Sequence, residues 1–405
     1  QEAIVTRSAC TVPAVALFLL ASTAAAATAA DNAAIPGAAP PPAQVSWTLG
    51  DVTGIALKNQ PLVMQSDADV EAAVARKGQA QSAWYPWVNL SAGYSQVRAF
   101  SPQTQQNFTT PYEFARGDLS WTLYDFGRTG ASVDRADALV GVSRENAATT
   151  REDVAFVATV SFYNVLRAEK TLEFQRENLR QRESLLRQAT AFYEAGVRAK
   201  IDVARAEANL YDARAQVSQA ENGLRVSRIT LLQRIGVDGP ADFRLSGQLP
   251  ELSLSGTPKD WIDEAERNRP ELRALLEKER AANESLRLAR AGYLPYLVGT
   301  AGYGYGSDQP PWQQNYALSV TLNYPLFTGF QTREQVREAS ATVSSVGYEL
   351  TEARRRVRLE VERSAYSVQE AQERLEARKK QREASEENLR LATARYEVGA
   401  GDIIE

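Results

Sequence analysis

The sequence predicts an α+β membrane protein assembled from a duplicated helix, strand, strand, long helix, helix unit, and three observations predict it. The chain repeats itself: Leu123-Tyr124-Asp125-Phe126-Gly127 aligns with Leu326-Phe327-Thr328-Gly329-Phe330, and Tyr193-Glu194-Ala195-Gly196 with Tyr396-Glu397-Val398-Gly399, both at an offset of 203 residues. Several segments alternate apolar and polar residues with a period of two. Two stretches without proline are far longer than one globular core requires.

Arg7, an apolar run over residues 12–20 and an Ala-rich stretch to Ala30 follow the order of a secretory signal, so residues 1–30 read as a signal peptide. The run is about half of the roughly 20 residues that a spanning helix needs, which disfavours an uncleaved anchor. Cys10, the one cysteine, precedes the apolar core and leaves with the signal, so the mature chain has no disulfide or thiol chemistry. No other segment has the length and freedom from charge of a transmembrane helix, so entry into a membrane must use strands. The sequence opens on Gln1 and stops at Glu405 inside a helical pattern, and both ends are expected to be incomplete.

The first repeat, residues 31–235, is predicted to begin with a helix over about 48–82, stopped by Pro86. Val88, Leu90, Ala92 and Tyr94 alternate with Asn89, Ser91, Gly93 and Ser95, and Leu119, Trp121 and Leu123 with Asp118, Ser120 and Thr122. Each pattern predicts a strand of about 10 residues with one apolar face, the length an outer-membrane strand requires. A helix follows from about 127 to 192, in which Ala158, Val165, Leu172, Leu179, Leu186 and Tyr193 form a seven-residue stripe for coiled-coil packing. Gly196 permits the reversal into a further helix over about 201–235, and residues 236–259 read as a linker.

The second repeat, residues 260–405, replays the pattern. A helix over about 258–291 is stopped by Pro295, a Gly-rich strand covers 297–305, and Tyr316, Leu318, Val320, Leu322 and Tyr324 mark the clearest strand. The long helix from about 330 to 395 keeps the stripe at Val361, Val368, Leu375, Leu389 and Tyr396, broken at Arg382, and Gly399 marks its end.

Composition removes several function classes. The formal charge of −4 arises from 46 basic and 50 acidic residues that are interspersed, so no basic stripe offers itself to nucleic acid. Without histidine there is no imidazole base, Ser-His-Asp triad or His-ligated metal, and no cofactor is indicated. Asp202 and Glu405 could be read as paired carboxylates, but nothing places them at a substrate pocket, so an enzyme is not expected. Gly302, Gly304 and Gly306 lack the strand-to-helix setting of a nucleotide loop and read as strand glycines.

Four strands cannot close on themselves, because an open edge in lipid leaves backbone groups unpaired at several kcal/mol each. Counting allows a dimer with eight strands or a trimer with twelve. A barrel of about eight strands is filled by its own side chains, so a conduit favours the trimer.

Trp47-Thr48-Leu49-Gly50-Asp51, Arg269-Pro270-Glu271-Leu272, Ala289-Arg290-Ala291-Gly292-Tyr293-Leu294-Pro295, Pro325-Leu326-Phe327-Thr328-Gly329 and Ile201-Asp202-Val203 after Gly196 resemble the repeated pattern of the TolC outer-membrane factor family. The resemblance spans nearly all of the mature chain. It implies a homotrimer with a 12-stranded barrel in outer-membrane lipid and a periplasmic helical tunnel. Implied partners are a periplasmic adaptor and an inner-membrane transporter, as in a tripartite efflux or type I secretion system.

The resemblance also assigns sites. Ala195, Gly196 and Val197, with Val398, Gly399 and Ala400, match the tips that dock the adaptor. Asp202 and Glu405 match acidic positions near the entrance constriction, where three copies of a carboxylate would make a cation-attracting ring; an acid in the first turn of a helix is also favoured by the helix dipole. Tyr396 matches a residue that holds the closed gate, while Gly401 departs from an arginine that helps lock it. The alternative, a structural periplasmic coiled-coil envelope protein without a pore, explains the helices but not the four strands.

Overall fold

The computed structural model describes residues 46–103, 105–247, 256–308 and 311–397. The predicted signal with Cys10, residues 248–255 of the linker, and Val398, Gly399, Ala400, Gly401 and Glu405 lie outside the described residues.

Each copy opens on a capped helix. Strand β1 (Ser46–Trp47) leads into α1 (Leu49–Asn59), and α5 (Pro258–Asn268) opens the second copy. Thr48 and Asp51 cap α1 reciprocally, the Thr48 hydroxyl accepting from the Asp51 N–H at 3.2 Å and the Asp51 carboxylate accepting from the Thr48 N–H at 2.9 Å. Thr257 and Asp260 repeat the arrangement at α5. The single helices expected over 48–82 and 258–291 are each two. A break at Gln60 separates α1 from α2 (Pro61–Gln81), and one at Arg269 separates α5 from α6 (Pro270–Arg290). Gln60 and Arg269 are extended, at ψ 121°, because the proline ring crowds a helical residue before it, while Pro61 and Pro270 are well placed as first helical residues. Short 3₁₀ turns, Ser82–Trp84 and Ala291–Tyr293, then deliver each copy to its strands.

The strands are β2 (Trp87–Ser101), β3 (Gln106–Tyr124), β5 (Tyr296–Ser307) and β6 (Gln313–Asn323). They form one antiparallel sheet in the order β2-β3-β5-β6, with each copy contributing a hairpin and the copies meeting at β3 and β5. At 15 and 19 residues, β2 and β3 exceed the expected length, because their ladder continues past the end of β5. A small parallel pair joins β1 to β4 (Arg244–Leu245).

Helices α3 (Arg128–Glu194) and α7 (Gln331–Glu397) have 67 residues each, about 100 Å at 1.5 Å per residue. Helix α4 (Lys200–Ile235) returns along α3 and stops beside the α1–α2 break, where the Gln60 side-chain amide donates to the Arg234 carbonyl at 3.3 Å. Between them lies the main core, in which Val52, Ala56, Phe162, Val165, Leu231 and Ile235 are almost wholly buried. A smaller core packs Leu272 of α6 against Leu350, Ala353 and Val357 of α7. The heptad stripe is buried where a helix covers it, at Ala158, Val165 and Leu172; on α7, beyond α5 and α6, Leu375 and Leu389 are exposed.

Candidate conduit and helix-tip site

Register divides the sheet into two chemically distinct faces. Val88, Leu90, Leu119, Trp121, Ala301, Leu318, Val320 and Leu322 share one face, ending in Tyr94, Tyr303 and Tyr316. Leu90, Tyr316 and Leu318 are each more than 80% exposed, an apolar surface that water does not tolerate and hydrocarbon does. The opposite face holds Asn89, Ser91, Asp118, Arg116, Ser120, Thr300, Asn315 and Ser319. There Arg116 Nε pairs with the Asp118 carboxylate at 2.9 Å, and the Thr300 and Ser319 hydroxyls meet at 2.8 Å. An aqueous lumen suits this second face. Gly302, Gly304 and Gly306 lie in β5 on it, and β3 side chains rest on them: a Cβ at Gly302 would stand 3.1 Å from the Asp118 carboxylate, and one at Gly306 would stand 2.6 Å from the Tyr112 hydroxyl. The strand reading of these glycines holds, and their missing side chains let a charged pair and a phenol lie flat on the wall.

Among the described residues nothing pairs with either edge of the sheet, β2 or β6, so each edge presents a row of open backbone groups. Sheet and rods are joined by one turn used twice. Phe126 and Gly127 have φ of 53° and 89°, and Gly329 and Phe330 have φ of 59° and 67°, so two successive left-handed residues redirect the chain in each copy with glycine and phenylalanine exchanged. Asp125 accepts from the Thr129 N–H at 2.6 Å, and Thr328 holds the matching place beside Thr332. Aromatic residues gather at this level: Trp121 Nε1 donates to the Trp84 carbonyl at 3.0 Å, and Phe327 packs edge-on against Phe330.

The copies are joined along α3 and α6. Asp137 of α3 receives Lys77 of α2 at 2.8 Å and Arg280 of α6 at 3.4 Å, and Arg287 reaches Asp134 at 3.0 Å. The Lys77 hydrogen bond, outweighing partial burial, holds the Asp137 carboxyl below its usual range.

At the far end of α3, Gly196 at φ 74° terminates the helix. Its N–H donates to the Tyr193 carbonyl at 3.0 Å and that of Val197 to the Phe192 carbonyl at 2.9 Å, which satisfies the last carbonyls and leaves Val197 67% exposed. Ala195, Gly196, Val197 and the first-turn acid Asp202 therefore share one tip. Tyr396 lies in the last turn of α7, and its side chain is not described. Since α3 and α7 have equal length and start from equivalent turns, their ends reach similar depth below the sheet. The other half of the expected tip, Val398, Gly399, Ala400 and Glu405, is outside the described residues.

A sheet apolar on one face and open at both edges, mounted on two long rods, defines a membrane-embedded channel subunit and not an enzyme. The chain belongs to the outer membrane efflux protein family, whose model matches residues 52–237 and 261–405. It is 24% identical over 366 residues to outer membrane protein TolC of Vibrio cholerae, covering 88% of this chain and 82% of that protein. It is 26% identical over 375 residues to protein CyaE of Bordetella pertussis, covering 90% and 79%. The outer-membrane channel OprN superposes with a TM-score of 0.77 at 20% identity, over 88% of this chain and 82% of its own. The family is one of non-enzymatic bacterial outer-membrane channels.

Sequence reasoning did not find the paired helix caps, the proline breaks or the extended β2–β3 ladder. A Thr-x-x-Asp spacing and an extended residue before proline were readable signals for the first two.

Proposed function

We propose that three copies pair β6 of one with β2 of the next into a 12-stranded barrel, forming a passive duct across outer membrane and periplasm. The observation that carries this reading is the four-stranded sheet with two open edges and one apolar face. Closure satisfies every edge group, and twelve strands leave a lumen that eight would fill. The chain order is then signal peptide 1–30, first repeat 31–235, linker 236–259 and second repeat 260–405.

The tips formed by Ala195, Gly196 and Val197 with Val398, Gly399 and Ala400 dock a periplasmic adaptor, and an inner-membrane transporter supplies cargo and energy for efflux or type I secretion. Asp202 and Glu405 line the entrance as acidic rings, and Tyr396 holds the gate. Single-channel recording in a planar bilayer tests this. Cation-selective steps are expected, with selectivity reduced in Asp202→Ala. Silence from a correctly folded trimer, in both forms, would mean a sealed gate or the pore-free structural alternative, which adaptor binding then separates. Equal closed-state conductance in Tyr396→Phe and the unmodified channel would remove the tyrosine latch.

A further inference from the structure

The β2–β3 ladder runs seven residue pairs beyond the sheet, from Ser95↔Tyr112 to Ser101↔Gln106, whereas β5 stops pairing at Glu113↔Ser307. These pairs make a free-standing two-stranded ribbon about 20 Å long at roughly 3.4 Å per residue. Large apolar side chains here stand on the face that is polar in the sheet below. On the face that continues the apolar wall stand Gln96, Arg98, Phe100, Asn107, Thr109 and Pro111, polar except for Phe100 and Pro111. On the face that continues the polar lumen, Ser95, Ser101, Gln106 and Thr110 are joined by Val97, Ala99, Phe108 and Tyr112, with Phe114 at the root. Val97 is 58% and Phe108 48% exposed.

The root is fixed firmly. The Phe114 ring lies over Gly93, where a Cβ would be 2.9 Å away, and Tyr112 stacks on Phe114 with ring centroids 6.0 Å apart. Above the membrane both faces of a wall meet water, so exposed Val97 and Phe108 on the inner face gain only if something covers them. An isolated two-stranded ribbon is also marginal in water. Across a closed barrel, the surface opposite this face is the same face of the other copies.

We propose that the ribbons of three copies lean together through Val97 and Phe108, above the anchored Tyr112, and form an apolar collar that narrows the outer mouth of the duct. The inference rests on the trimeric reading above. It adds a second constriction, at the opposite end from the helix tips.

Phe108→Cys and Arg98→Cys, each in a Cys10→Ser background, place a thiol on the inner and outer ribbon face respectively. Copper-phenanthroline oxidation of the purified protein is expected to give covalent dimers from Phe108→Cys and not from Arg98→Cys. In a planar bilayer the oxidised Phe108→Cys channel is expected to conduct about half as much or less, restored by dithiothreitol. Heat-modifiable trimer that gives no Phe108→Cys cross-link, or equal cross-linking from both variants, would overturn the collar and leave the duct standing. Cross-links without any change in conductance would also overturn it as a constriction. Failure to find a trimer at all would instead overturn the duct.

Discussion

Single side chains set where each copy begins. Asp51 and Asp260 are held below the usual carboxylate range first by the backbone N–H of Thr48 or Thr257 and then by the hydroxyl of the same residue. A depressed folded pKa means that each cap stabilises fully above the unfolded value of about 4 and weakens as pH falls through the folded one. Thr257→Ala is expected to cost about 1 kcal/mol of stability at pH 7, read from thermal unfolding by circular dichroism in detergent. The gap between the unmodified protein and Asp260→Ala should narrow as pH drops below about 4. A gap that widens in acid would show that the carboxylate is not the stabilising form.

At the scale of elements, the strand-to-rod turn is the feature the two copies share most closely. Gly127 and Gly329 occupy left-handed backbone, where a Cβ meets the neighbouring carbonyl. Gly127→Ala and Gly329→Ala are each expected to cost about 1–2 kcal/mol, measured as a lower temperature of trimer dissociation on gels. Gly78 lies within α2 with open space around it. Gly78→Ala should raise that temperature, because alanine favours helix by about 0.5–1 kcal/mol. Equal effects at all three glycines would show that the turn conformation is not what requires glycine at 127 and 329. Within the rods, burial of the heptad stripe follows the helices that lie on it, which is why Val165 is covered and Leu389 is not.

For the whole molecule, the two sheet faces make opposite demands on adjacent residues. Val320 lies in the apolar band, and Thr321, its neighbour, on the polar face. Val320→Arg is expected to cost about 2–4 kcal/mol in lipid and to reduce the heat-modifiable form, while Thr321→Arg should assemble and alter ion selectivity. The reverse outcome would exchange lipid and lumen. The copies are further locked by Asp137, which gathers cations from α2 and α6 on a single helix of the first repeat.

Much of this was legible in the sequence because period and offset survive without knowledge of contacts. The 203-residue repeat, the alternation about Leu318 and the seven-residue stripe through Val165 gave the duplicated unit, its strands and its rods, and Gly196 gave the tip. The lengths of β2 and β3 were not legible, since alternation fades beyond Tyr94, where large apolar side chains stand on the face that is polar in the sheet, and only pairing shows that the ladder continues. The helix breaks at Gln60 and Arg269 were masked by apolar patterning that runs across them. By itself, then, the sequence determined which elements exist and which residues share a face, because those depend on local periodicity. Only the tertiary structure decided that the two hairpins meet at β3 and β5, that both outer edges stay open and that Asp118 and Arg116 lie on a bed of glycines, because strand order and close approach depend on residues far apart in the chain.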